Sequence, residues 1–368
     1  MNSVHGKPPH IILIVADDLG YADLGYTGSQ IATPNIDKLA SHGVKLSDFY
    51  VQRACSPTRA ALMTGRYNIR YGFQSGVLTD HNNYSLPLDE TLLPQFVRRT
   101  RAAKAHAVGK WHLGYHQWEH TPTYRGFDTY LGYYSGDADY FTHQGSCGGY
   151  DLHLAERPNC GANCSRPMWE AQGVYSTHLF TGRAVSLIEA HDPRLSLLLY
   201  LPYQAVHWPL EAPPQYVDRY RGRTGGDTRR QLVCAMAKAL DDGVGQVTAA
   251  LKRRGIWDDS LVLFSSDNGG PTNGNEGTWS SNFPLRGGKN TLWEGGTRVV
   301  GAVRGPGIPR GAASDAARSG GRRAAVAPLT PPAVRQVSYE KFHATDWLPT
   351  LVAMASGRPC TSRPRTSA

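Results

Sequence analysis

The apolar residues of this chain follow two periodicities, and the contrast between them predicts the fold. His10-Ile11-Ile12-Leu13-Ile14-Val15-Ala16 is short, continuously apolar and β-branched, the pattern of a parallel strand buried on both faces, and it stops at Asp17-Asp18. Leu195 to Leu201 repeats the pattern and ends near Pro202, while Leu261-Val262-Leu263-Phe264 repeats it again before Ser265-Ser266-Asp267-Asn268. Thr297 to Val303 predicts a fourth strand. Between these runs the apolar positions recur at helical spacing: Ile36 to Leu39, Leu92 to Val97, Tyr175 to Ala190, and Leu232, Met236, Leu240, Val244, Val247 and Leu251, which keep one face through several turns. Strands alternating with helices predict an α/β fold, a mostly parallel mixed sheet flanked by helices on both faces. In such sheets, polar residues just past the carboxyl ends of the strands gather at the ligand crevice.

The pattern holds to about residue 310 and then changes. Residues 311–340 are rich in Ala, Arg and Pro without apolar period and predict a low-complexity, disordered insert. Residues 341–356 return to a helical pattern, and 357–368 read as a disordered tail. The domain expectation is one large unit over 1–310, completed by the helix in 341–356.

Charge matters here through its position. The formal net charge of the 368 residues is +9, but residues 304–368 hold ten Lys or Arg against three acids, so the sheet-forming part is close to neutral. The excess reads as a solvated Arg-rich tail rather than a basic patch for glycosaminoglycan or nucleic acid. No stretch approaches the ~20 apolar residues of a membrane span, and the N-terminus shows no charged-then-apolar leader. Of the six cysteines, Cys147, Cys160 and Cys164 cluster in a Gly/Asn-rich loop, where one disulfide would close easily. Cys160 and Cys164 alone are a poor zinc signal. Asn83-Tyr84-Ser85 and Asn163-Cys164-Ser165 are glycosylation sequons, and with the cysteines they point to the secretory route.

Two segments carry chemistry. Asp17, Asp18, Asp267 and Asn268 follow two buried strands; adjacent carboxylates there must be solvated, paired or bound to a cation, and an all-oxygen set favours calcium or magnesium. Asp17-Asp18 alone would read as a pair of turn caps, but Asp267-Asn268-Gly269-Gly270 repeats the placement on another strand. The other segment is Cys55-Ser56-Pro57-Thr58-Arg59, followed by Ala60-Ala61-Leu62-Met63-Thr64-Gly65-Arg66. A lone Cys is usually a small buried hydrophobe. Here Pro57 suits the first turn of a helix, which puts Cys55 at a helix N-terminus that favours an anion, with Arg59 one turn on.

Cys-x-Pro-x-Arg followed by Leu-x-Thr-Gly-Arg resembles the signature of the sulfatase family, in its arylsulfatase B-like branch, within the alkaline phosphatase superfamily. The resemblance continues through Gly109-Lys110-Trp111-His112-Leu113-Gly114, Arg125-Gly126-Phe127-Asp128, Gln204-Ala205-Val206-His207, Leu285-Arg286-Gly287-Gly288-Lys289, Trp293-Glu294-Gly295-Gly296 and Thr345-Asp346-Trp347-Leu348-Pro349-Thr350-Leu351. It implies a lysosomal or secreted hydrolase of sulfate esters, among them sulfated amino sugars of glycosaminoglycans. Cys55 would be oxidised by the formylglycine-generating enzyme to formylglycine, whose hydrate supplies an oxygen nucleophile. Ca2+ would be held by Asp17, Asp18, Asp267, Asn268 and the modified Cys55. Arg59 would stabilise the hydrate; Lys110, His207 and Lys289 would neutralise the sulfuryl group; His112 would take a proton from the second hydroxyl.

The chain departs from that pattern in places. Family members carry a signal peptide, a small C-terminal antiparallel domain and further disulfides, so an incomplete chain is expected. Gly288 stands where close relatives usually have Arg. Lys110, His112 and His207, taken one at a time, would be ordinary loop residues, and His116, His120 and His143 receive no role. Two other functions share these residues: a phosphate or phosphonate ester hydrolase on the same fold, against which Cys55 argues, and a sulfatase-like binding protein without turnover.

Overall fold

The computed structural model describes residues 8–100, 103–159, 161–272, 279–309 and 337–356. Its strands in chain order are β1 (His10–Ala16), β2 (Val44–Leu46), β3 (Phe49–Tyr50), β4 (Ala103–Val108), β5 (Thr129–Gly132), β6 (His153–Ala155), β7 (Ser165–Pro167), β8 (Ser196–Pro202), β9 (Ser260–Ser266), β10 (Arg298–Val299), β11 (Gly301–Arg304), β12 (Val337–Ser338) and β13 (Phe342–His343). The helices are α1 (Pro34–Ser41), α2 (Cys55–Thr64), α3 (Leu93–Thr100), α4 (Ser176–Ala190), α5 (Pro214–Arg219), α6 (Thr228–Arg253), α7 (Glu294–Thr297) and α8 (Trp347–Ser356).

Ten strands form one mixed sheet in the order β12-β2-β11-β9-β1-β8-β4-β5-β6-β7. Its centre, β9-β1-β8-β4-β5, is parallel, with Ile12 level with Leu199 and Val262. The outer strands β11, β6 and β7 run antiparallel to their neighbours. Side chains alternate across a strand, so β1 feeds two cores. Ile12 and Ile14 pack with α1, α4 and α6, whereas Ile11, Leu13 and Val15 pack with α2, α3 and α8. Burying each such side chain contributes roughly 1.5–3 kcal/mol, and every position of β1, β8 and β9 is enclosed and, His10 apart, apolar or small.

The long helix follows its expected face: Met236, Leu240, Val244, Val247 and Leu251 of α6 are buried and Leu232 is half-buried. Asp227 caps it, its Oδ1 accepting from the N–H groups of Arg229 and Arg230 at 3.0 Å each. Lys252 and Arg253 fill the last turn, where the helix dipole favours cations.

Two expectations need correction. Thr297 to Val303 is not one strand: after α7 the chain makes β10, which pairs with β3 in a separate three-stranded sheet, and then β11, which joins the main sheet against β9. Val300 lies at the crossover between the two sheets, and Val299 on one side and Ala302 and Val303 on the other are buried, so the apolar run crosses the break. Second, Val337–Ser338, inside the stretch expected as a disordered insert, pairs in parallel with β2; residues 310–336 and 357–368 lie outside the described residues. From β13 a short 3-10 turn leads into α8, whose Trp347, Leu348 and Leu351 are buried against the α2–α3 face. Among the described residues no helix is long and apolar enough to cross a membrane.

Candidate active site

Four parallel strands end along one edge of the sheet, and each delivers polar residues there. Asp17 and Asp18 follow β1, Lys110 and His112 follow β4, His207 follows β8, and Asp267 and Asn268 follow β9. Backbone bonds lock these exits together: Asp17 N–H donates to the Ala205 carbonyl at 2.9 Å, Lys110 N–H to Pro202 at 2.9 Å, and Asp267 N–H to Ala16 at 3.1 Å. Asp18 and His112 adopt φ of 61° and 56°, left-handed backbone that non-glycine residues rarely hold. Gly109, at φ 123°, turns the chain from β4 into Lys110, and a Cβ there would lie 1.9 Å from the Pro202 oxygen.

Cys55 is the first residue of α2 and is buried, as the position of Pro57 predicts. Burial pushes its thiol up to about 12, against the charges of Lys110 and Lys289, so at neutral pH the sulfur is a protonated thiol. Arg59 projects from the same helix to Asp267, its Nε and Nη2 donating to Oδ2 at 3.0 and 2.7 Å, while Nη1 donates to the Lys110 carbonyl at 3.1 Å. Its guanidinium is therefore committed to positioning Asp267 and the Lys110 loop.

The carboxylates face a ring of cations. Lys110 Nζ donates to Asp17 Oδ2 at 2.6 Å, and Lys289 Nζ to Asp18 Oδ2 at 3.0 Å. Burial raises the Asp18 carboxyl, but the ammonium charges of Lys289 and Lys110 outweigh it and hold the group well below the usual carboxylate range. Lys289 Nζ also lies 3.2 Å from His207 Nε2. His207 Nδ1 donates to the Trp208 carbonyl at 2.7 Å, which leaves Nε2 as the acceptor. Burial, then Lys289 and Lys110, lower this imidazole to about 3, so it is neutral. His112 donates Nε2–H to the Leu78 carbonyl at 2.8 Å, and its Nδ1 is buried with no hydrogen-bond partner. Burial, then Lys110, hold it well below the ordinary histidine value, which keeps Nδ1 unprotonated and open as an acceptor.

Two acceptors in this ring are orphaned: Asp17 Oδ1 and Asn268 Oδ1 are buried without a donor. A buried acceptor without a partner costs about 1–3 kcal/mol, and a cation removes that cost. Ligand atoms of Asp17, Asp18, Cys55 and His207 lie within 4.8 Å of one another, a grouping suited to a metal ion. Asp267 stands at its edge, its Oδ1 accepting from the Asp18 N–H at 3.3 Å, and Asn268 Nδ2 donates to Asp18 Oδ1 at 2.6 Å.

Cys55, His112, His207 and Lys289 line one cavity of about 510 Å3. Of the residues singled out in the sequence, these four reach the cavity, while Asp17, Asp18, Arg59, Lys110, Asp267 and Asn268 lie behind them in the buried network of hydrogen bonds and ion pairs. Sequence reasoning missed Asp80, His81, Asp137 and Trp208, which also line the cavity but lie in loops with no periodic signal. Two other expectations fare differently. Cys164 is disulfide-bonded while Cys147 is a free, exposed thiol, and Cys160 lies outside the described residues. A Cβ at Gly288 would come within 2.5 Å of the Gly270 oxygen, so this loop is built around a glycine.

A family model described as Sulfatase matches residues 9–357. Arylsulfatase J of Mus musculus is 42% identical over 357 residues, 95% of this chain and 53% of that protein. Arylsulfatase A of Homo sapiens is 32% identical over 95% of this chain and 64% of its own length. The chain thus spans between about half and two thirds of these relatives. Among solved structures, Ps i-CgsB in complex with k-i-k-neocarrahexaose superimposes with a TM-score of 0.78 and 32% identity, covering 96% of this chain and 73% of the other. A signature helix, a carboxylate cluster and a cation ring on one sheet edge, matched over nearly the whole sequence, make the chain a member of the sulfatase family.

Proposed function

We propose that this chain hydrolyses sulfate esters, with residue 55 as the nucleophile after its oxidation to formylglycine. The observation that carries the reading is the pairing of a non-nucleophilic, buried Cys55 at a helix N-terminus with Lys110, His207 and Lys289 around the same point. An unmodified cysteine nucleophile is made by lowering its pKa, and here burial raises it. Formylglycine, once hydrated, supplies an oxygen nucleophile and a second ionisable hydroxyl on the same carbon.

The residues fit a divalent cation, because Asp17 Oδ1 and Asn268 Oδ1 are buried acceptors without donors. Asp17, Asp18, Asp267 and Asn268 would hold it together with modified residue 55, and an oxygen-rich set of this kind favours Ca2+. When bound, the ion supplies Lewis-acid polarisation of a sulfuryl oxygen.

The remaining work falls to this chain's side chains. Lys110 and Lys289 place two ammonium groups where the sulfuryl oxygens gain charge, each such contact contributing about 2.7–4 kcal/mol to barrier lowering. The Lys289–His207 pair, 3.2 Å apart, holds a proton that can pass to the departing alcohol oxygen. His112 Nδ1, fixed as an acceptor by the Leu78 carbonyl, takes the proton of the second hydroxyl. Arg59 keeps Asp267 in place.

The substrate class consistent with the fold relatives and the cavity is a sulfated carbohydrate, including sulfated amino sugars. Maturation requires a formylglycine-generating enzyme as partner. A disulfide at Cys164 and exposed sequon residues Asn83 and Asn163 support passage through the secretory route, to the lysosome or the exterior. The test is production with that maturing enzyme, followed by parallel assays with p-nitrophenyl sulfate and p-nitrophenyl phosphate in calcium. Sulfate hydrolysis at the higher kcat/KM is expected; phosphate hydrolysis at the higher value would reject this reading.

A further inference from the structure

A second cavity of about 540 Å3 opens beside the one that holds Cys55. The two share a wall of Asp80, His81 and Cys147, so a single ligand can occupy both. Each is within the range of roughly 300–1,000 Å3 typical of small-ligand sites.

Their chemistry differs. The first cavity has Lys289 at its wall; the second has an aromatic face formed by Tyr115 and Trp118, 38% and 40% exposed. Tyr115 is held in place: its ring stacks on Tyr134 with centroids 5.8 Å apart, Tyr134 stacks on Tyr130 and His153 at 5.2 and 4.6 Å, and the Tyr115 hydroxyl donates to Asp80 Oδ1 at 3.3 Å. A fixed aromatic face rimmed by carboxylates and imidazoles suits a pyranose, whose C–H face packs on the ring while its hydroxyls donate and accept at the rim. Among the described residues the lining includes Asp80 and Asp151 with three histidines, and no Lys or Arg. Asp151 accepts from the N–H groups of Tyr134 and Ser135 and pairs with His153 Nε2 at 3.2 Å, so its negative charge is a fixed part of the wall. A second anion placed here would face carboxylates rather than lysines.

Resting on the sulfate-ester reading of the neighbouring cavity, we propose that this second cavity is the subsite for the sugar joined to the sulfated one, and that it takes an uncharged hexose or N-acetylhexosamine in preference to a uronic acid.

Three substrates test it: p-nitrophenyl sulfate, a disaccharide with a sulfated N-acetylhexosamine linked to a hexose, and the same disaccharide with a uronic acid second. Trp118→Ala and Tyr115→Ala should each raise KM for the hexose disaccharide about tenfold and leave KM for p-nitrophenyl sulfate within about twofold. The unaltered protein should prefer the hexose disaccharide to the uronate one at pH 7. Equal effects on the aryl and disaccharide substrates, or no preference between the disaccharides, overturn the proposal. Calorimetric titration with the unsulfated hexose disaccharide separates this inference from the activity it rests on. Binding that weakens in Trp118→Ala supports the subsite even in a preparation that cleaves no sulfate ester. Binding that is absent, or unchanged in the variant, overturns it even where p-nitrophenyl sulfate is hydrolysed.

Discussion

Arg59 and Asp267 form a fully buried ion pair in which one carboxylate oxygen takes both Nε and Nη2, at 3.0 and 2.7 Å. The arginine comes from the helix that starts at Cys55 and the aspartate from the end of β9, so the pair ties the nucleophile's helix to the carboxylate cluster.

Removing one partner of such a pair leaves an uncompensated buried charge. Arg59→Met should cost about 3–5 kcal/mol of stability, read by denaturant unfolding. Arg59→Lys keeps the charge but loses the planar fork, so it should fold and bind calcium about 10–100-fold more weakly, measured by calorimetry. Unchanged calcium affinity in Arg59→Lys would deny Arg59 its positioning role.

The orphaned oxygens of Asp17 and Asn268 predict that the cation contributes to stability. Chelation should lower the thermal midpoint, and calcium at a hundred times its dissociation constant should restore about 2.7 kcal/mol. Magnesium, which demands tighter octahedral geometry, should restore less. A melting curve indifferent to chelator and to both ions would contradict the cation site.

His112 should behave as a base rather than as a binding group. Its Nδ1 is a buried acceptor, and burial keeps it unprotonated. His112→Gln should lower kcat about 10²–10⁴-fold with little change in KM for p-nitrophenyl sulfate. A change confined to KM would assign it to substrate binding instead.

Acid sensitivity should centre in part on His106 in β4. Burial lowers this imidazole from 6.5 to about 4 in the folded chain, while Nδ1 pairs with Thr129 Oγ1 at 2.8 Å. The unfolded chain takes up its proton first as pH falls, so this contribution is complete above pH 6.5 and is lost on the way to pH 4. Between pH 7 and 4.5 the loss amounts to about 2–3 kcal/mol. Denaturant unfolding of His106→Gln at the two pH values should show a correspondingly smaller drop; an equal drop would place the acid sensitivity elsewhere.

Strands β1, β8 and β9 and the acidic residues after β1 and β9 were legible because these strands are enclosed on both faces, and full enclosure demands the apolar runs that lead to Asp17 and Asp267. β4 was not legible: Ala103–Val108 mixes small residues with Lys104 and His106, since it packs through alanines between β8 and β5. The break at Val300 was hidden for the opposite reason, because both sheets it joins bury apolar side chains. Within the site, Cys55, Lys110, His112, His207 and Lys289 were reached through motif resemblance, whereas Asp80, His81 and Trp208 meet only through loop geometry. Which atom of each histidine is the acceptor depends on the carbonyls of Leu78 and Trp208, and no residue pattern encodes that.

Turnover depends on the chemical state of residue 55. Intact and peptide mass spectrometry of protein made with and without the maturing enzyme, alongside p-nitrophenyl sulfate turnover of the same samples, measures it directly. Turnover should rise in proportion to the fraction of chains carrying formylglycine at position 55 and vanish in Cys55→Ala. Full turnover by chains that retain the Cys55 thiol would contradict the proposed nucleophile.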